Sequence, residues 1–182
     1  ACKKFNTKKI GHCGTLDPIA TGVLVLCCNK ATKIIELLIE EQKEYIAEVK
    51  LGILTDTLDI TGNILEENNN YSLTKEELIE TLNSFKGEYL QEVPKYSAIK
   101  LNGTRLYDYA RDNKEVELPK RNVKIKEIEL LEYNKDTFKF KVLVSKGTYI
   151  RSLIRDIGNK LNINMTMINL QRTKVDRFNI ED

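Results

Sequence analysis

A chain of 182 residues and 21.0 kDa, 41% hydrophobic and 31% charged, is long enough for one ordinary domain whose core needs no disulfide or metal staple. Its hydrophobic content excludes disorder, nine Gly and three Pro exclude collagen-like and low-complexity chains, and no apolar run approaches the roughly 20 residues that cross a bilayer. Net charge is only +2, yet residues 1–50 carry 8 basic and 6 acidic groups, residues 51–100 carry 4 and 9, and residues 101–182 carry 17 and 12; this asymmetry is compatible with a basic face for nucleic acid, although charge alone favours a plain solvated surface.

Ala1–Ile10 is lysine-rich and lacks the apolar segment of a signal peptide, so the chain reads as soluble. Cys2, Cys13, Cys27 and Cys28 form no CxxC pair, and His12 is the sole histidine, which argues against a zinc site and for reduced thiols in a cytosolic protein. Gly22–Asn29 is a short apolar run suited to a buried strand, with one of Cys27 and Cys28 in the core. Ala31–Gln42 places Ile34, Ile35 and Leu38 at helical spacing. Glu44–Leu51 alternates as a half-buried strand, with Tyr45, Ala47, Val49 and Leu51 on one face. Thr55–Asn63 and Asn68–Asn70 carry turn chemistry.

Thr74 and Glu77 form a capping box ahead of a helix that Gly87 is expected to end. Lys95–Leu101 reads as a strand leading to an Asn102–Gly103 turn, followed by a short helix over Arg105–Arg111. Strands are expected over Val123–Tyr133 and Thr137–Ser145, joined at Asn134–Asp136. Ile150, Leu153, Ile154, Ile157 and Leu161 recur as one face of an amphipathic helix. A last strand covers Met165–Arg172. Strands joined mostly by short turns, without regular βα alternation, predict an α+β domain with a mixed, mostly antiparallel sheet and flanking helices.

The densest chemical signal is GHCGTLDPIATG, Gly11–Gly22, an irregular loop just before an apolar run. Asp17 there can act as a nucleophile or base, although an Asp beside Pro and Gly more commonly caps a turn. His12 has no serine in a nucleophile-elbow pattern and is better read as structural or substrate-contacting. Tyr45 is by default a core residue; at the edge of its face it could stack on a base. Arg151 and Arg155 lie four apart after Gly147–Thr148–Tyr149. A solvated face explains Arg155, but a cation in the first helical turn, as at Arg151, opposes the helix dipole unless paired. There is no Walker loop, no GxGxxG and no carboxylate cluster suited to a catalytic metal.

GHCGTLDPIATGVL (Gly11–Leu24) resembles the active-site motif of the TruB-type tRNA pseudouridine synthases. KEYIAEVKLG (Lys43–Gly52), TDTLDITG (Thr55–Gly62), VPKYSAIKLNG with LYDYAR (Val93–Arg111), SKGTYIRSLIRDIG (Ser145–Gly158) and LQRT (Leu170–Thr173) follow in the family's order and spacing. The likeness covers nearly the whole chain and is closest to the bacterial, stand-alone branch. It implies a pseudouridine synthase catalytic domain over residues 1–182 that isomerises uridine-55 in the T loop of tRNA. Asp17 would be the catalytic carboxylate. Tyr45 would lie against the flipped base and help move the C5 proton, and Arg151 would pair with Asp17 and aim it. His12, Tyr149 and Leu170 match positions that line the nucleotide pocket.

Rearranging the glycosidic bond transfers no electrons or groups from outside, so no cofactor and no metal are expected. The implied partner is the tRNA T-arm, bound by a cytoplasmic monomer without membrane attachment. Val93 stands where the family has the first of two prolines, and Asn113 and Asp176 stand where it has glycines, which bears on loop shape more than chemistry. The family also begins with a further strand and helix, and its bacterial members end in a small RNA-binding region; the expectation is therefore a catalytic domain lacking those ends. The competing readings are a guide-RNA-dependent dyskerin-type subunit, a silent RNA-binding module and an Asp/His hydrolase.

Overall fold

The computed structural model describes residues 3–39, 42–112 and 114–182. Strands β1 (Ile10–His12), β2 (Ala20–Gly22) and β3 (Leu26–Cys28) precede a 3-10 helix (Asn29–Ile34) and the short α1 (Ile35–Ile39). Then come β4 (Lys43–Leu51), β5 (Ile53–Thr55), β6 (Ile64–Glu67), α2 (Lys75–Ser84), β7 (Gly87–Glu92), β8 (Lys100–Leu101), β9 (Thr104–Arg105) and α3 (Leu106–Arg111). The last third holds β10 (Lys120–Tyr133), β11 (Thr137–Val144), α4 (Ile150–Leu161), β12 (Met165–Val175) and β13 (Phe178–Asn179).

The central sheet runs β13-β12-β4-β11-β10-β7, antiparallel along this path, and β2 pairs with β12 in parallel. The architecture is α+β with a mixed, mostly antiparallel sheet. Period-two alternation aligns Tyr45, Ala47, Val49 and Leu51 of β4 with Phe138, Phe140, Val142 and Val144 of β11 on one buried face. Leu78 and Leu82 of α2 and Leu153, Ile154 and Ile157 of α4 join the same core. Burying each such side chain contributes roughly 1.5–3 kcal/mol, so this layer fixes where α4 starts. Arg151 sits in the first turn of α4, and the core thereby places it.

Several expectations need correction. Gly22–Asn29 is not one buried strand. The chain pairs at β2, breaks, and pairs again at β3; Leu24 and Leu26 are 43% and 39% exposed. The break falls at Gly22, whose φ is 104° and whose absent Cβ makes room for the Arg172 backbone. Within β3, Cys27 is buried and Cys28 only half-buried. The helix expected over Ala31–Gln42 is a 3-10 turn followed by α1, while Glu40, Glu41, Cys2 and Asn113 lie outside the described residues. Lys95–Leu101 is strand only at β8. The Tyr96 carbonyl accepts from Arg151 and the Ser97 and Ile99 carbonyls from α3 backbone N–H groups, so they do not build a ladder. Gly87 does not stop α2, which ends at Ser84; it opens β7. The β5–β6 hairpin and β7 had no sequence expectation.

Candidate active site

Arg151 is 5% exposed and makes a fork-to-fork pair with Asp17: Nε donates to Oδ2 at 2.9 Å and Nη2 to Oδ1 at 3.0 Å. Its remaining donors reach the carbonyls of Thr57 (2.9 Å) and Tyr96 (3.1 Å). A second carboxylate stands behind it, with Asp59 Oδ2 3.7 Å from Nη1. Asp59 is itself buried, and its Oδ1 accepts from the Thr57 hydroxyl, the Thr61 hydroxyl and the Thr61 N–H. The cation in the first helical turn is therefore answered by two anions, which offsets its conflict with the helix dipole. The Asp17 side chain is 30% exposed while its partner is hidden. The carboxylate faces solvent and the guanidinium holds it from inside.

Arg172 holds the loop that carries Asp17. It is 1% exposed, lies on β12, and donates to the carbonyls of Val23 (2.7 Å), Thr15 (3.3 Å) and Gly14 (3.2 Å). Gly14 adopts φ 98°, which turns its carbonyl into that fork. Across the β12–β4 ladder the register partner of Arg172 is Tyr45, 9% exposed. Burial pushes the Tyr45 hydroxyl up from its ordinary value, with the Arg172 charge opposing and the Asp17 charge adding. Tyr45 is a phenol on which both charges act. It suits stacking and hydrogen bonding better than service as a preformed phenolate.

Tyr149 is the N-cap of α4, in extended geometry, with its ring facing the Arg121 guanidinium at 5.9 Å. Burial pushes its hydroxyl up, again against an arginine charge. Leu170, 4% exposed, lies on β12 between Ala47 of β4 and Ala20 of β2. It is a core residue whose parallel β2 neighbour belongs to the Asp17 loop. His12 is exposed on β1, opposite Leu26, and no hydrogen bond among the described residues joins it to Asp17 or Arg151. Asp17, Arg151, Tyr45 and Tyr149 thus share one electrostatic neighbourhood, and Leu170 belongs to the same buried cluster as Tyr45.

Asp59 and Arg172 were not singled out by the sequence reading. Both lie inside quoted motifs, TDTLDITG and LQRT, but that they are buried charges shows only in the fold. Arg155, by contrast, is not the free surface cation expected of it; it pairs with Glu92 at 3.2 Å and Asp156 at 2.9 Å. A cavity of about 600 Å³ is lined by Tyr96, whose carbonyl accepts from Arg151, but Asp17, Tyr45 and Arg151 do not line it. No group of three metal-binding side chains occurs among the described residues, nor any helix long and apolar enough to cross a membrane.

Residues 2–150 match the family described as TruB family pseudouridylate synthase (N terminal domain). The chain belongs to that family. It is 51% identical over 175 residues to the tRNA pseudouridine synthase B of Clostridium tetani, which covers 96% of this chain and 61% of that protein. Against the protein of the same name from Mycoplasma mobile the identity is 52% over 176 residues, with the same coverages. The chain thus spans about three-fifths of the length of these curated relatives. A chain in a solved H/ACA RNP bound to a substrate RNA containing 2'-deoxyuridine matches at TM-score 0.71 and 30% identity, over 100% of this chain and 43% of that one. One in a Cbf5-Nop10-Gar1 complex matches at TM-score 0.72 and 31% identity, over 97% and 44%.

Two departures from the TruB pattern have structural counterparts. Val93 is fully buried and its N–H donates to the Pro119 carbonyl at 3.1 Å, a bond that a proline could not make. Asp176, where the resemblance implies a glycine, adopts φ 51°, a left-handed conformation that aspartate tolerates better than most residues.

Proposed function

We propose that this chain is the catalytic domain of a tRNA pseudouridine synthase that isomerises uridine-55 in the T loop. The observation that carries this reading is the half-exposed Asp17 carboxylate locked two-fold onto a buried Arg151. The C1′–N1 bond breaks, the uracil turns, a C1′–C5 bond forms, the C5 proton leaves and N1 takes one up. Asp17 is the group able to attack or to take a proton, and Arg151 sets its direction. The base must leave the stacked loop first, which costs a few kcal/mol, and the rings of Tyr45 and Tyr149 offer stacking surfaces that offset this. His12 and Leu170 contribute from the margin and the floor of the pocket. The rearrangement needs neither metal nor cofactor, and the protein acts as a cytoplasmic monomer on the T-arm.

Identities of 51% and 52% to proteins named tRNA pseudouridine synthase B, against 30% and 31% to chains from the RNP structures, favour direct tRNA modification over a guided role. The test is tritium release from C5-labelled uridine in a T-arm stem-loop, using the full-length protein that carries this chain. Asp17→Asn, nearly isosteric, is expected to lower turnover by at least about 10³-fold, as loss of a reacting group does. Turnover unaffected by Asp17→Asn would overturn the mechanism, and an inactive wild-type protein would favour a binding module.

A further inference from the structure

The backbone of Tyr149 is held by a side chain from a different layer. Gln91, on β7, is completely buried. Its Oε1 accepts the Tyr149 N–H at 2.8 Å, and its Nε2 donates to the Tyr149 carbonyl at 3.2 Å. The amide thereby completes the ring of two bonds that a neighbouring β-strand would supply. Nε2 also donates to the Tyr89 hydroxyl at 2.5 Å, and the N–H of Tyr149 fixes which amide atom must be oxygen. Tyr149 is the N-cap of α4 but caps the helix with no side-chain bond; its carbonyl accepts the N–H of Leu153 at 3.0 Å. The clamp therefore sets the height and rotation of the first turn of α4. Arg151 lies two residues on. The β10 register partner of Gln91 is Arg121, whose guanidinium faces the Tyr149 ring.

From this arrangement we infer that Gln91 is a positioning residue for the reaction: it locks the start of α4 so that Arg151 meets Asp17 and Tyr149 faces the nucleotide. The inference rests on the proposed pseudouridine synthase reading. A displacement of about 1 Å in such a group costs on the order of 100-fold in rate, which makes a buried clamp consequential. An amide supplies donor and acceptor side by side without charge at every working pH. A glutamate in its place is isosteric but, when ionised, sets a second acceptor against the Tyr149 carbonyl. Protonated, it again offers one donor and one acceptor.

The experiment compares wild type, Gln91→Glu and Gln91→Met in the full-length protein, by C5-tritium release from the T-arm stem-loop between pH 5.5 and 8.5, with thermal melting of each. At pH 8, kcat is expected to fall on the order of 100-fold in both variants, with KM within about threefold of wild type, since RNA contacts are not removed. On lowering the pH, Gln91→Glu regains about tenfold or more relative to wild type, while Gln91→Met does not, because only the carboxyl can take up a donor proton. Wild-type kcat in either variant, or a deficit of Gln91→Glu that ignores pH, overturns the inference. If the ionised glutamate prevents folding at pH 8, Gln91→Met carries the test through its kcat and KM split. An inactive wild type would sink the proposed reaction; an active wild type with indifferent Gln91 variants would sink only the clamp.

Discussion

Arg151 combines four tasks that no other side chain can take over together. Its planar fork matches both oxygens of Asp17, and its remaining donors satisfy the carbonyls of Thr57 and Tyr96. A lysine keeps the charge but not the fork, and leaves at least one buried carbonyl without a donor. Arg151→Lys is therefore expected to destabilise the fold by about 1–3 kcal/mol in denaturant unfolding. It is also expected to lower kcat on the order of 100-fold through misdirection of Asp17. Wild-type kcat in this variant would mean that the two-point grip is not what aims the carboxylate. Asp17 stood out because it sits among Gly and Pro in a dense motif, but those residues alone favour a turn cap and only the resemblance implies a catalytic carboxylate; Arg151 stood out because a cation in a first helical turn demands a partner. Asp59 and Arg172 did not. Asp59 is held by Thr57 and Thr61 on either side and faces Arg151 from a distant helix, and Arg172 is held by the backbone carbonyls of Gly14, Thr15 and Val23. Composition and periodicity carry no trace of such contacts.

Among the elements, α2 shows how local chemistry supports the layer over the sheet. The Thr74 hydroxyl accepts the Glu77 N–H at 3.2 Å, and the Glu77 carboxylate accepts the Thr74 N–H at 2.8 Å. The Thr74 N–H, and then the Thr74 hydroxyl donating to the same oxygen at 2.8 Å, hold the Glu77 carboxyl below its ordinary value. Thr74→Ala is expected to cost about 1 kcal/mol at pH 7. A lowered folded-state value means that the stabilisation is fully present above the ordinary 4.5 and is lost as pH falls through the lowered value. The gap between wild type and Thr74→Ala should thus narrow on acidification, read by thermal unfolding at pH 7 and in steps below 4.5; a gap that widens would contradict the reciprocal cap. The same paired spacing made this helix readable. α4, β4, β10 and β11 were readable for a related reason: each buries one face, so its period survives in the sequence. β7 was not, because only Gln91 of its six residues is buried, and the β5–β6 hairpin hides little. Leu24 and Leu26 misled in the opposite direction, as apolar residues that stay exposed. An apolar run records hydrophobicity but not which neighbour covers it.

For the whole molecule, the net charge of +2 conceals a segregation along the chain. Residues 101–182 supply most of the basic excess, and they include Arg121 beside Tyr149 and the arginines 105 and 111 that flank the Tyr107 ring. If this surface carries the T-arm, affinity comes largely from phosphate contacts, each of which releases condensed counterions. For about four such contacts the association constant should drop on the order of 100-fold between 50 and 200 mM salt. Arg121→Ala should weaken binding about evenly across stem-loop sequences and reduce the slope of log K against log salt by about one. The measurement is fluorescence anisotropy of a labelled T-arm stem-loop across that salt range, with wild type and Arg121→Ala. A flat salt response in the wild type would remove the basic face from the account. A normal slope that Arg121→Ala leaves unchanged would assign Arg121 to holding the Tyr149 ring, where it already sits, instead of to the RNA backbone.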